Sequence, residues 1–187
     1  MAILGRHNVL FYKAKYLNAE LESVKEIYDA FNSDFLKEVS SHRGSDKLPL
    51  CVDFESMKES LDEIFKEDID ASLFKPLYRR IMILAHPDKL ASVSDKNIVD
   101  YYSEICRKAM SAMESGSWYM LYDAALALGL KDIDIKNEHI NLIEHDYRKI
   151  EEEIYRIKNS VAWMWFHSEN EEKDKYIKYY VKKASGR

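Results

Sequence analysis

Glycine and proline are scarce in this sequence. There are five and three of them among 187 residues, against about 20 together at average usage. Multi-stranded antiparallel folds turn their corners with these residues. A sandwich, a barrel or a glycine-rich nucleotide-binding fold is therefore disfavoured, and collagen-like or low-complexity readings are excluded. Cysteine is limited to Cys51 and Cys106, far apart in the chain. They form no metal-ligand spacing, no redox pair and no disulfide framework, so a reducing compartment is the simplest reading. Long apolar runs are also missing. Val161 to Phe166 is among the longest, far short of the roughly 20 residues that span a bilayer. Met1 to His7 offers no apolar stretch of signal-peptide length. Excess positive charge is lacking too: the net charge is −5 and the pI about 5.7, which argues against a general nucleic-acid binder. These absences together lead us to expect a soluble, cytoplasmic protein with no membrane partner, for which nucleic acid is a poor candidate ligand.

What is present suits helices. Apolar residues make up 47% and charged residues 33%, the mix of long amphipathic helices with solvated outer faces. The length allows one ordinary domain, or a small module with helical extensions. Leu10, Ala14, Leu17, Leu21, Val24, Tyr28, Phe31 and Phe35 alternate in steps of four and three. This heptad stripe predicts a helix that ends near Ser40-Ser41. His42 to Pro49 holds a glycine, a proline and several polar residues and reads as a linker. Residues Asp53 to Asp70 carry eight acids and two lysines and read as a short acidic helix plus loop.

A basic amphipathic helix is predicted from Leu73 to Ala85, with Phe74, Leu77, Ile81 and Leu84 inward and Pro76 in its first turn. His86-Pro87-Asp88 stops it, because the residue before proline is pushed out of the α region. Ser92 to Asp95 supplies caps for a third helix with stripe Ile98, Tyr102, Ile105, Ala109 and Ala112, broken at Gly116. Trp118 to Leu128 is another short helix, closed by Gly129. Ile140, Ile143, Tyr147, Ile150, Ile154, Ile157, Val161 and Met164 form a second, unbroken heptad stripe. Beyond Ser168 the chain is strongly charged, with Tyr176, Ile177, Tyr179 and Tyr180 as docking candidates and an unstructured end as the simpler reading.

One motif carries chemistry. Tyr78-Arg79-Arg80 precedes His86-Pro87-Asp88 by a helix length, Lys75 lies upstream, and Tyr102-Ser103-Glu104-Ile105-Cys106-Arg107-Lys108-Ala109-Met110 follows on the next helix. With Leu61 to Phe65 standing for a first helix, about residues 55–114 resemble the J-domain family, the DnaJ-type co-chaperones. The chain departs from the family where Leu84 and Ala85 replace a base and an aromatic before the His, where Met110 replaces an aromatic, and where the first helix lacks a clear turn glycine. The resemblance implies an all-α fold, a J-domain-like helical hairpin flanked by long heptad-patterned helices. It also implies binding of a DnaK-type chaperone and stimulation of its ATP hydrolysis. His86, Pro87 and Asp88 would be contacts, with Lys75, Arg79, Arg80 and Lys89 docking an acidic surface. The chemistry would lie in the partner: the chain itself would be no enzyme, with no catalytic residue, cofactor or metal.

The flanks suggest a specialised member, since a Gly/Phe-rich linker and a zinc module are both missing. A linear division follows: heptad helix 1–43, J-domain-like module 50–116, C-terminal helices 117–168 and charged tail 169–187. The two heptad stripes either pack on each other as an antiparallel hairpin, or at least one makes a homo-oligomer or holds an outside client. Internal packing is the preferred reading, because both stripes occur in one chain. Trp163, Trp165 and Phe166 surround one helical turn and serve either as a partner or oligomer interface or as a core plug. This ending is loosely similar to the tails of J-like proteins of large DNA viruses and phages. That fits a viral source, placing the protein in host cytoplasm or virion. A competing function is then a structural or assembly protein with a degenerate J-domain. His139 and His145, six apart, read as exposed singletons rather than one metal-binding face.

Overall fold

Side-chain caps and left-handed residues set the helix boundaries. The computed structural model describes residues 2–42, 70–90 and 93–184, and the described residues are all helix and connection, without strands. α1 runs Ala2–Ser41, α2 Lys75–Ala85, α3 Pro87–Leu90, α4 Lys96–Ser115, α5 Trp118–Ala127, α6 Asn137–Lys158, α7 Val161–His167 and α8 Asn170–Ala184. None of them is long and apolar enough to cross a membrane. Pro76 sits in the first turn of α2, where its missing N–H costs nothing. His86 ends that helix in an extended conformation. The Asp95 carboxylate caps α4 by accepting from the Asn97 N–H at 2.9 Å, and Gly116 closes it at φ 67°. The Ser117 hydroxyl caps α5 by accepting from the Met120 N–H at 3.2 Å.

The chain divides into two packing units, each assembled from separated stretches: Met1–Tyr16 with Glu67–Arg148, and Leu17–Lys66 with Lys149–Arg187. In the first unit, α2 packs on α4 and α5. Its core takes Leu77, Ile81 and Ala85 from α2 and Ile105, Ala109 and Ala112 from α4. Trp118, Leu121 and Ala125 come from α5, Phe11 and Ala14 from α1, and Leu142 and Ile143 from α6. The buried alanines let the helices approach closely while the aromatics fill the space between them. Tyr101 Oη donates to the Ala127 carbonyl at 2.7 Å and ties α4 to α5.

The second unit buries the heptad stripe of α1 from Leu21 to Val39 against Ile154 and Ile157 of α6, Trp165 of α7 and Ile177 of α8. The ion pairs Lys25–Glu153 at 2.6 Å and Lys158–Glu20 at 2.6 Å flank that contact. In each unit residues of both stripes are buried within one chain.

Four expectations need correction. The second stripe does not lie on one helix: α6 stops at Lys158 and α7 begins at Val161, with the Ser160 hydroxyl accepting from the Trp163 N–H at 3.2 Å. A serine that can cap competes with continuing the helix. Ile98 and Leu84 face outward, each 44% exposed, because the stripe that packs in α4 starts one turn later and α2 buries Ala85 instead. The charged tail is helical through Ala184. Ile177 is buried, Tyr180 meets Phe35 edge-on at 5.3 Å, and the Lys173 ammonium lies 5.0 Å above the Trp165 ring. His139 is buried rather than exposed. The acidic segment 53–69 and its first-helix likeness at Leu61 to Phe65 lie outside the described residues, as does Cys51.

Candidate functional site

The His86-Pro87-Asp88 tip sits where α2 ends and the single turn of α3 begins. His86 leaves the helix at ψ 135°, as a residue before proline must. Pro87 then opens α3 from its fixed φ, and the Lys89 N–H donates to the His86 carbonyl at 2.9 Å. Leu90 is buried and pins the far end of the turn. The tip is therefore a short, locked corner. His86 is half-buried, and its Nδ1 accepts from the Asp88 N–H at 3.3 Å. The Asp88 carboxylate lies 3.4 Å from the same ring nitrogen and is itself 88% exposed. The corner thus presents one imidazole and one exposed carboxylate at fixed separation.

The flanking positive charges differ from one another. Lys75, Arg79 and Lys89 are exposed. Arg80 is tied down: its guanidinium donates to the Lys131 carbonyl at 3.0 Å and to the Asp132 carbonyl at 3.3 Å. Asp132 holds a left-handed φ of 56° in that loop. Arg80 thus fastens α2 to the connection that follows α5, and its charge faces carbonyl oxygens of its own chain. Beside the arginines, Ile83 is 66% exposed, so the outer face of α2 alternates cationic and apolar side chains.

The aromatic ending belongs to the second unit. Trp165 is buried, with Phe35 edge-on at 5.4 Å. Trp163 is half-buried, 6.0 Å from Phe31. Phe166 stacks on Phe31 at 4.2 Å while leaving part of its ring exposed.

Sequence reasoning missed a cluster in the first unit. His7 and His139 are both buried around Trp118. The Trp118 Nε1–H donates to His7 Nε2 at 2.9 Å, and the His139 ring stacks flat on the indole at 4.0 Å between centroids. His139 Nδ1 accepts from the Lys136 N–H at 3.0 Å. Burial pushes the His7 pKa down to about 4 and lowers that of His139 as well. The signal was available: His7 lies three residues before Leu10 on the heptad stripe, and His139 lies four before Ile143. Asp146, also buried, accepts from the Tyr119 N–H at 2.7 Å and caps α5 from α6.

Among the described residues no group of three or more His, Cys, Asp or Glu side chains is arranged to hold a metal ion. Comparison with protein-family models, with curated proteins and with solved structures gives no match to this chain.

Proposed function

We propose that this protein is a J-domain co-chaperone that binds a DnaK-type chaperone, stimulates its ATP hydrolysis and brings it to a particular client. The observation that carries the reading is the locked His86-Pro87-Asp88 corner, with Pro87 and Asp88 exposed and His86 half-buried, at the end of a helix that displays Lys75 and Arg79. A corner rigid before binding loses little entropy on contact. The exposed cations on α2, with Lys89, steer the corner toward an acidic partner surface. The chain performs no covalent step: His86 and Asp88 act as contacts, and water attacks ATP in the partner. Arg80 takes a positioning part, holding α2 through the Lys131 and Asp132 carbonyls.

The test is the steady-state ATPase of a DnaK-type chaperone with added protein. Wild type should raise the rate several-fold, and His86→Gln should abolish the stimulation with the fold intact by circular dichroism. No stimulation by wild type sinks the proposal. A second reading, a structural or assembly protein with a degenerate J-domain, is favoured by the departures at Leu84 and Ala85. It requires a self-associating or particle-bound protein, which light scattering of the silent wild type would reveal.

A further inference from the structure

We propose that the His7–Trp118–His139 cluster is an acid-sensitive latch that holds the first four turns of α1 on the first unit and lets them go when either ring takes up a proton. Hydrogen-bond capacity sets this behaviour. Neutral imidazole has one N–H and one lone pair. In His7 the lone pair is on Nε2, where it accepts from Trp118, so the hydrogen is on Nδ1. In His139 the lone pair is on Nδ1, where it accepts from Lys136, so the hydrogen is on Nε2. A further proton can land only on a nitrogen that already accepts. It would set N–H against N–H and break the Trp118–His7 or the Lys136–His139 bond.

The nitrogens that would take the proton face the Trp118 and Lys136 N–H donors rather than an acceptor. His7 Nδ1 and His139 Nε2 are buried without a hydrogen-bond partner. The Asn8 side chain and the Leu73 backbone favour the charged forms of His7 and His139 and offset part of the burial cost. Each histidine would repel the other once charged. Asp134 and Glu138 favour a charged His139, and Lys136 opposes it. Of the other charged groups on the packed elements, Arg6 pairs with Glu144, Lys15 and Lys108 pair with Asp123, Asp146 accepts from the Tyr119 N–H, and Lys13, Lys75 and Arg79 are exposed. At the start of α2 the indole meets the Phe74 edge, at 5.7 Å.

The direction follows by linkage. The native pKa of His7 lies below the ordinary value of 6.5, so the released state binds more protons between those two values. The His7 contribution to docking is fully present above about pH 6.5 and is lost as the pH falls toward 4. From His7 alone the docked-to-released ratio should drop on the order of 20-fold between pH 7 and pH 5. Asp123, whose burial is outweighed by its bonds to Lys108 and Lys15, titrates below the usual carboxylate value and does not contribute in this window.

Amide hydrogen exchange on the full chain, corrected for intrinsic rates, tests the latch. Amides 6–16, beyond the unbonded first turn of α1, should lose about 20-fold in protection between pH 7 and pH 5. His7→Gln, whose side-chain oxygen can still accept from Trp118 but cannot titrate, should show a much smaller change. Unchanged protection in wild type overturns the proposal, as does an undiminished response in His7→Gln. Should that variant not fold, the wild-type ring resonances decide: a His7 ring that titrates near 6.5 with amides 6–16 still protected rules the latch out. The result is independent of whether the protein stimulates a chaperone.

Discussion

Arg79 and Arg80 are neighbours in the chain and have different fates. A helix turns about 100° per residue, so adjacent side chains point to different surroundings. Arg79 stays in solvent, while Arg80 forks onto two carbonyls some fifty residues away. Arg80→Ala should therefore lower stability by about 1–2 kcal/mol, since it strips two carbonyls of a charged donor in a half-exposed setting. Arg80→Lys should restore little, because an ammonium lacks the planar fork. Arg79→Ala should leave stability within about 0.5 kcal/mol yet weaken chaperone stimulation and flatten its dependence on salt. Urea melts of the three variants, with ATPase stimulation at two ionic strengths, separate the roles. Equal destabilisation by Arg79→Ala and Arg80→Ala would refute this division.

At the scale of elements, periodicity and punctuation were readable wherever the information is local. The stripe of α1 from Ala14 to Phe35 packs inward as its spacing requires, with Leu17 half-buried. Asp95, Gly116 and Gly129 stand at joints because capping and left-handed φ are properties of single residues. The rest depended on contacts made in space. The candidate corner was legible as a tripeptide, but the use of Arg80 was not, since its partners are backbone atoms that any sequence would supply. His7 and His139 look like isolated polar residues until Trp118 falls between them. The charged tail becomes α8 through Ile177 and the Tyr180–Phe35 contact. Heptad spacing also runs straight through Asn159-Ser160, where the chain in fact breaks. Asn159 Nδ2 donates back to the Tyr155 carbonyl at 2.7 Å while Ser160 caps the next helix. Ser160→Ala should cost about 1 kcal/mol, and Ser160→Asp, an equally good cap, close to nothing. Midpoints of urea unfolding read the difference; a gain from Ser160→Ala would mean that a continuous helix is preferred.

At the scale of the whole molecule, the two units divide the proposed labour. The His86-Pro87-Asp88 corner, its cations and the histidine latch all belong to the first unit. The aromatic ending belongs to the second, where Phe35 is fully buried with Trp165 and Tyr180 at its edge. Removing that ring leaves a cavity that the neighbouring aromatics cannot all collapse into, so Phe35→Ala should destabilise by about 3–5 kcal/mol. If the first unit alone meets the chaperone, this loss has no bearing on the contact. Phe35→Ala should then stimulate ATP hydrolysis as wild type does, at a temperature where hydrogen exchange shows amides of α2 and α4 still protected. Its client delivery, measured as recruitment of the chaperone to whatever the protein co-purifies with, should fail. Leu77→Ala, which opens the first core beneath α2, should show the reverse order: stimulation falls first. Loss of stimulation by Phe35→Ala with α2 and α4 protected would place part of the chaperone contact on the second unit, and the division of labour would be wrong.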